Sequence, residues 1–461
     1  MGSFPSAIAM GVVFLAAASA ADPALHARKL LERETGAVKL PAGVILLRGE
    51  IVLAPGSHDL EIDAHGVTLQ MATDFQGRAA LVIPGGRNIH ISGLAIDGNR
   101  EHIQHPVEDL PPSDKPFSKF TTDNGILAEN VAGLELDALE LKNIAGFPIL
   151  VSASSKVKIR AVRVENSGSR NARKRNNTTG GILLEEGTQD FSVSDCVLEH
   201  VLGNGIWTHS LYKSPRNTDG QIMGNRISEV ARDAIQVGHA TRVTVAKNVG
   251  ARIGYPTDAV DIETEATPAA LDTAGNVDHT SYRDNQFQEV NGKCIDLDGF
   301  HDGEVRANGC INQADRAEYP HGHYGIVMNN SNPDMQSRNI LVWGNRIEGF
   351  LYGGLLVIGS GHRISHNHFL RLNMAHCNVE AARYGCLYFP EEPDMLRSGI
   401  YVRGKAARPD AARDNSIEDN EISGFGMGAR CIVMGPGVDA GQNRISRNTC
   451  SDDAPVDAGL R

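Results

Sequence analysis

Short stretches in which apolar and variable residues alternate recur along most of the chain. Each begins with a small or polar residue, as in Gly181-Ile-Leu-Leu-Glu185 and Gly325-Ile-Val-Met-Asn329. A period of two is typical of β-strands and places the first Ile and the residue two positions later on the buried face. The further stretches begin at Gly125, Gly205, Ala234, Ala259, Cys294, Gly354, Gly399 and Cys431. Their number and shortness predict a stack of short parallel strands.

An asparagine followed two residues later by an apolar residue forms a second repeat. It recurs at Asn225, Asn285, Asn308, Asn345, Asn367, Asn420 and Asn448, with a near match at Asn248. Several spacings are 22 or 23 residues, and the two gaps of 37 equal one such unit plus a loop. This period predicts an all-β solenoid whose coils bury continuous apolar columns. We expect the asparagines to stack in one turn and to hydrogen-bond from coil to coil.

We expect a single solenoid domain over residues 21–461, which also contains a capping helix and several loop insertions. Residues 24–34 have the apolar spacing of an amphipathic helix. This helix should cap the first coil, where an open strand edge would invite aggregation. Residues 101–123, 167–179 and 373–396 are expected to be loop insertions. Cys310 and Cys450 fall at core positions and are expected to be buried thiols, whereas Cys377 and Cys386 share one insertion and could pair.

Residues 1–20 predict a signal peptide. The apolar run Ala7–Ala17 is too short to span a bilayer, and Ala18-Ser19-Ala20 has the small-x-small pattern of a cleavage site. The first residues lack Lys and Arg, so a short membrane anchor is the alternative. No later run is apolar enough to span a membrane. We therefore expect a secreted or periplasmic protein without a membrane span after cleavage. The net charge of −12 argues against nucleic acid as a partner.

The Ile-x-Val strands, the asparagine turns and the segment Gly93-Leu-Ala-Ile-Asp-Gly-Asn99 resemble the pectate-lyase-like superfamily. The resemblance covers nearly the whole mature chain and implies a right-handed parallel β-helix. That superfamily includes polygalacturonases, polysaccharide lyases, alginate epimerases and non-catalytic proteins, so the fold does not decide the function. The sequence lacks the Asp-Asp pair followed by Gly-His-Gly of polygalacturonases and the Asp-Pro-His-Glu of alginate epimerases. No family's catalytic residues can therefore be transferred.

The outward positions of the central strands concentrate acidic and polar residues. This predicted acidic column contains Glu185, Trp207, His209, Gln236, Asp261, Glu263, Asp296, Asp298 and Asn329, with Asp233, His239 and His301 on adjoining turns. We expect Asp261 to stack on Asp296 at about 5 Å, the spacing of one coil. Like charges at such a distance raise at least one pKa, which keeps one carboxyl protonated as a general acid.

This column predicts an enzyme that cleaves a polysaccharide, most simply a glycoside hydrolase that uses Asp261, Asp296 and Asp298 for catalysis. Trp207 offers a stacking surface for a sugar ring, and His209 could tune a neighbouring carboxyl. The full set expected to bind substrate is Glu185, Trp207, His209, Gln236, His239, Glu263, His301 and Asn329.

Three alternatives remain open at this point. Asp261, Glu263, Asp296 and Asp298 could hold Ca²⁺, which prefers oxygen ligands. A lyase or epimerase acting on uronate polymers could use such a Ca²⁺ together with the basic loop at residues 167–179, which carries Arg170, Arg173, Lys174 and Arg175. A non-catalytic glycan- or metal-binding envelope protein would need neither. The substrate and the oligomeric state do not follow from the sequence.

The predicted signal peptide has a direct test. On export, cleavage after Ala20 should leave a chain that begins at Ala21, which intact-mass measurement of the exported protein would detect. Ala20→Arg should block cleavage because the cleavage site requires a small residue, whereas Ser19→Ala should leave it unchanged. Recovery of the full-length chain from the membrane fraction would instead favour the anchor.

Overall fold

The computed structural model describes residues 23–103, 115–261, 267–330, 335–377, 390–404 and 412–453. Its N-terminal helix, Pro23–Leu31, buries Ala24, Ala27 and Leu31 against the first coil and packs on the strand Gly43–Val52. This confirms the predicted cap, which ends three residues earlier than the sequence pattern indicated. No helix within the described residues is long and apolar enough to cross a bilayer.

The described strands form three walls, and every pairing between successive coils is parallel. The predicted right-handed parallel β-helix is therefore confirmed. Wall A contains Asn124–Glu129, Ile149–Ser152, Gly180–Glu185, Asn204–His209, Lys293–His301, Ile326–Asn329, Leu355–Val357, Ile400–Val402 and Ile432–Met434. Ile235–Ala246 and Ala269–Asp278 run from wall A into wall B, and Gly43–Val52 and Val67–Ile83 run from wall C into wall A.

The other two walls are built from equally short strands. Wall B continues with Gly36–Lys39, His58–Asp63, Gly86–Ser92, Val131–Asp137, Ser155–Arg160, Gln189–Ser194, Asn217–Met223, Ser281–Arg283, Glu304–Arg306, Leu341–Trp343, Arg363–Ser365, Ser416–Glu418 and Arg444–Ser446. Wall C continues with Ala95–Asp97, Glu140–Lys142, Arg163–Ser167, Val197–Val201, Arg226–Val230, Val249–Ile253, Gln286–Val290, Gly309–Ile311, Arg346–Glu348, His368–Leu372, Glu421–Gly424 and Thr449–Asp452. Short 3₁₀ turns lie at Phe117–Lys119, Thr257–Ala259, Arg316–Glu318 and Ala440–Gln442.

The core is a set of columns, because each inward residue pairs with its equivalent on the next coil. In wall A one column runs through Ile126, Ile149, Ile182, Ile206, Ile235, Leu271, Ile295 and Ile326, all of them buried. A coil cannot bury its own apolar face, so burial is gained only when coils stack.

The predicted asparagine ladder lies in the turn between wall B and wall C and is confirmed. The side-chain amide of each member donates to the side-chain carbonyl oxygen of the next at 2.8–3.0 Å, from Asn225 through Asn248, Asn285, Asn308, Asn345, Asn367 and Asn420 to Asn448. The same amide of Asn285 also donates to the carbonyl of Val245. The ladder thus supplies partners for turn groups that are buried away from water.

The expectation of buried thiols at Cys310 and Cys450 is wrong. Cys310 forms a disulfide with Cys294, and Cys450 forms one with Cys431. Each bond links a wall C strand to the start of a wall A strand within one coil. Cys196 is a free, buried thiol. The expected pair Cys377–Cys386 involves a residue outside the described ranges.

One predicted strand is misplaced. Ala259-Val-Asp-Ile-Glu263 was expected in wall A, but residues 257–259 form a 3₁₀ turn and Asp261 follows it in a loop. The strand Ala269–Asp278 pairs in its place between Ile235–Ala246 and Lys293–His301. The extra residues of this coil therefore come before its wall A strand, Ala269–Asp278, whereas the sequence pattern placed them after the strand. The pattern also missed the strand Ile149–Ser152, which supplies a further coil.

The ladder gives a stability prediction. Asn308→Ala removes a buried side chain that bonds Asn285, Asn345 and the carbonyl of Tyr282. We expect the free energy of unfolding in urea to fall by about 1–3 kcal/mol, because buried polar groups lose their partners. Gln288→Ala, at an exposed position of the neighbouring strand, should change it by less than about 0.5 kcal/mol. Equal losses in the two variants would contradict a specific role for the ladder.

Candidate active site

The centre of wall A carries a continuous row of polar side chains. Gln236, Asp272 and Asp296 are direct partners on three successive coils, so Asp272 stacks on Asp296 at one strand spacing, about 4.8 Å. Gln236 donates to Asp272 through its amide nitrogen and accepts a hydrogen bond at 2.6 Å from Asn204. This network holds the Asp272 carboxyl from the side of the preceding coil.

A second row completes the site at the edge where the wall A strands begin. Lys293 bonds the carboxylate of Asp296, three residues along the same strand. Asp233 accepts a hydrogen bond at 2.8 Å from the backbone N–H of Ala269, which is the strand partner of Lys293. We call Asp233, Asp272, Asp296 and Lys293 the carboxylate cluster. It places three acids around one ammonium group.

The combined effect of burial and neighbouring charges raises the pKa values of three members of the cluster, Asp233, Asp272 and Lys293. Burial raises the pKa of Asp272 well above its usual range, and the charges of Asp233 and Asp296 raise it further. Burial also raises the pKa of Asp233, against the opposing effect of Arg232. Burial by itself lowers the pKa of Lys293, but the attraction of Asp296 and its neighbours leaves that pKa above the ordinary value. The cluster thus combines a carboxyl group whose protonated form is favoured, Asp272, with a second carboxyl, Asp296, that forms a salt bridge with Lys293.

Asp272 and Asp296 are both buried, and each residue is 8 % exposed. His323, on the neighbouring coil, lies close to Lys293. Burial, together with the positive charge of Lys293, lowers the pKa of His323 to about 3, so its imidazole is uncharged at neutral pH. The adjoining Tyr324 is fully buried, and its hydroxyl has no hydrogen-bond partner among the described residues.

Asp261 lies near this cluster, but not at the position that the sequence predicted. It does not stack on Asp296. Its buried carboxylate lies 3.9 Å from Arg175 Nε and 3.8 Å from Arg232 Nη1. Arg232 directly precedes Asp233, so the loop carrying Asp261 closes against the edge of the cluster. Glu263 lies outside the described residues, and the predicted four-carboxylate calcium site is not assembled by the stacking that was expected.

Trp207 and Glu185 lie beneath a loop rather than on an open face. The ring of Phe117 contacts Trp207 at a centroid distance of 4.9 Å, and Phe147 packs beside both. The Glu185 carboxylate accepts hydrogen bonds at 2.8 Å from the backbone N–H groups of Phe117 and Ser118. The expected sugar-stacking surface is therefore covered, because the predicted loop insertion folds back onto these outward positions.

The other expected binding residues are spread around the wall. His209 packs edge-on against Trp207, and burial lowers its pKa to about 4. His239 contacts the ring of Tyr212. His301 ends its strand and bonds Asp302 and Asn276. The remaining pair, Asp298 and Asn329, are direct strand partners on the two coils that follow Asp272, as the register predicted.

Within the described residues, one group brings three metal-ligating side chains within 4.8 Å of one another: Glu185, Glu186 and His209. Both glutamates already bond loops, since Glu186 accepts from the backbone N–H of Leu211 and from Ser214. We assign these side chains to loop anchoring.

Asp272 and Lys293 were missed by the sequence pattern. Ala270-Leu-Asp-Thr-Ala274 begins with a small residue, but its second inward position is the polar Thr273. The structure compensates with a hydrogen bond at 2.7 Å between Thr273 and the hydroxyl of the buried Tyr282. The accepted stretch at Gly205 has Thr208 in the same position, so the signal for this strand was present in the sequence.

Comparison with known proteins supports the fold. The family described as "Right handed beta helix region" matches residues 114–252. No curated protein matches the chain. Three solved structures are similar to it in overall shape, and the fold assignment itself rests on the strand pairing and the family match.

The first is DFA-IIIase from Arthrobacter chlorophenolicus A6, at 12% identity and a TM-score of 0.49, with 93% of this chain and 97% of that chain covered. The second is the A-module of a mannuronan C-5 epimerase from Azotobacter vinelandii, at 13% identity and 0.46, with 94% and 93% covered. The third is a polygalacturonase from Erwinia carotovora ssp. carotovora, at 14% identity and 0.45, with 71% and 90% covered.

The raised pKa of Asp272 makes a prediction about stability. The folded protein binds this proton more tightly than the unfolded chain, so the associated stabilisation is full below the unfolded pKa of about 3.9 and is lost as the pH rises toward the folded pKa. Asp272→Asn cannot ionise and retains an oxygen that accepts from Gln236. Its melting temperature should exceed that of the wild type at pH 8, with a smaller difference at pH 4.

Glu61→Gln is the matched control because Glu61 is exposed on wall B, so its effect should not follow this pH dependence. A stabilisation by Asp272→Asn that grows as the pH falls would contradict the assignment of a raised pKa.

Proposed function

We propose that this protein is a glycoside hydrolase that cleaves a polysaccharide with the carboxylate cluster. The observation that carries the proposal is the direct stacking of Asp272 on Asp296, in surroundings that raise the pKa of Asp272 and pair Asp296 with Lys293. A protonated and an unprotonated carboxyl side by side are what acid-assisted glycoside cleavage requires.

In this proposal Asp272 is the general acid. It transfers its proton to the glycosidic oxygen while the bond from that oxygen to the anomeric carbon breaks. Asp296 is the second carboxylate, and it attacks the anomeric carbon to form a glycosyl ester, since a spacing of about 5 Å matches the retaining geometry. Asp272, now ionised, takes a proton from the water that hydrolyses this ester, which frees Asp296 and restores the acid. Lys293 holds Asp296 through their salt bridge, and Gln236 holds Asp272. Asp298, on the same strand as Asp296, would contact the substrate rather than transfer a proton.

The proposed hydrolase differs in chemistry from a lyase. A lyase needs an unprotonated base, commonly a lysine or arginine, near the sugar ring. The acids around Lys293 raise its pKa and favour its charged form, which cannot accept a proton. The same ammonium group supplies the positive charge that Ca²⁺ would otherwise provide among these carboxylates. The geometry therefore favours hydrolysis over the calcium-dependent alternative.

The proposed substrate agrees with the predicted export. Residues 1–20 are proposed to direct the chain to the periplasm or the exterior, where polysaccharides are accessible to an enzyme. The loops that carry Arg175 and Asp261 meet beside the cluster and would bound the glycan on that side. The partner we propose is thus a polysaccharide chain, bound across the successive coils of wall A.

The test is a panel of neutral and acidic polysaccharides incubated with purified protein and scored for new reducing ends and for new unsaturated ends. We expect reducing ends without unsaturation. On the substrate found, Asp272→Asn and Asp296→Asn should each lower kcat by about 10²–10⁴-fold, the usual contribution of a general acid or base. Activity should also fall as the pH rises through the pKa of Asp272, because the acid then loses its proton.

Glu61→Gln, an exposed carboxyl on wall B, should keep wild-type kcat. Unsaturated ends would instead identify a lyase. Tight glycan binding without turnover across the panel would identify a non-catalytic binding protein. Full activity in both aspartate variants would exclude the cluster as the catalytic site.

A further inference from the structure

A cavity of about 880 Å³ opens over the first coils, separate from the carboxylate cluster. Its wall follows the edge of wall A from Arg78 to the basic loop at Arg170 and Thr178. The strand Gly180–Glu185, at its far end, is two strand spacings from Ile235–Ala246, which is roughly 10 Å. A volume of this size accommodates a ligand larger than a single ion.

Arg100 is one of the cations that line this cavity, and the neighbouring Glu101 favours its charged form. Its guanidinium donates to the carbonyl of Gly168 at 3.2 Å, and no described carboxylate forms a salt bridge with it. Burial lowers the pKa of Arg100, which reflects the cost of keeping its charge away from water. Arg78, by contrast, is neutralised by the buried carboxylate of Glu129 at 2.7 Å.

Thr178 supplies a second unused polar group. It is 2 % exposed, lines the cavity, and its hydroxyl has no hydrogen-bond partner among the described residues. A buried hydroxyl without a partner costs free energy unless a ligand or water fills that place. The adjoining Thr179 is fully used, since its hydroxyl accepts from Ser169 N–H at 2.7 Å and donates to the Ser169 carbonyl at 3.0 Å.

Hydrogen bonds connect the basic loop of the cavity wall to the loop beside the carboxylate cluster. Arg170 donates to the backbone carbonyl of Asp258, and Asn176 donates to that of Ala259. Those residues belong to the loop whose Asp261 closes against Arg232 beside the cluster. The basic loop therefore lines the cavity at Arg170 and Thr178 and, through Arg175, contacts Asp261 beside the carboxylate cluster. Two acids, Glu50 and Asp123, also line the cavity and would repel a ligand of uniformly high negative charge.

We propose that this cavity binds a saccharide unit that carries one oxyanion, either a sulfate ester or a carboxylate, with the oxyanion on Arg100 and Thr178. A guanidinium presents a fork of N–H donors that matches such oxygens. Naming a saccharide rests on the proposed function, because a glycan that extends along wall A from the cluster would reach this cavity. The cavity then selects glycans that carry an anionic substituent several sugar units from the bond cleaved.

The experiment measures binding by calorimetry at low ionic strength, in an Asp296→Asn background so that no cleavage occurs. The probes are a sulfated disaccharide, digalacturonate and the neutral disaccharide cellobiose. We expect at least one anionic probe to bind ten-fold or more tightly than cellobiose, and the stronger of the two identifies the substituent. Arg100→Gln should weaken that binding by about ten-fold or more, the usual loss for a charged hydrogen bond.

Three further variants keep the proposal testable if Arg100→Gln folds poorly. Arg100→Lys retains the charge but not the fork, and should give an intermediate loss. Thr178→Val retains the shape and should weaken anion binding about three-fold or more. Arg226→Gln removes an exposed arginine of wall C and should stay within two-fold of the parent.

The proposal is overturned if neither anionic probe binds more tightly than cellobiose, or if Arg226→Gln costs as much as Arg100→Gln. These outcomes are distinguishable from failure of the proposed function. Arg100-dependent anion binding by a protein whose wild type cleaves no glycan would contradict the hydrolase alone. Cleavage of glycans at a rate indifferent to their anionic groups and to Arg100→Gln would contradict this proposal alone.

Discussion

The parallel hydrogen bonding of each coil to the next is the constraint on which the rest of this molecule depends. It sets equivalent residues about 4.8 Å apart and prevents them from slipping, because a slip of one residue would turn every buried side chain outward. The asparagine ladder from Asn225 to Asn448 adds a second, side-chain hydrogen bond between coils at one turn. Residues at equivalent positions of successive repeats therefore become stacked neighbours.

The same spacing creates the chemistry of wall A. Two aspartates at one outward position, Asp272 and Asp296, cannot move apart without breaking the strand pairing. Their repulsion is relieved by Lys293, which pairs with Asp296, and by retention of a proton on Asp272. A rigid scaffold thus maintains an arrangement of charges that a flexible loop would relax, and this is the state that a proton-transferring site requires.

Loops decide which parts of the wall remain open. The turn at Phe117 covers Trp207 and uses Glu185 as its anchor, so one section of wall A is closed to large ligands. The loops that carry Arg175 and Asp261 meet beside the carboxylate cluster, where their opposite charges hold them together. The cavity at Arg100 lies over the first coils, apart from the carboxylates.

The sequence by itself determined the solenoid, because its period of 22–23 residues and its alternating strands are local signals that every coil repeats. It also placed Gln236, Asp296, Asp298 and Asn329 on one face, because the alternating pattern located each of their strands. Only the tertiary structure decided that Asp272, and not Asp261, stacks on Asp296. An insertion can enter a coil before or after a strand without changing the local pattern, and only the pairing of that strand with both neighbouring coils distinguishes the two.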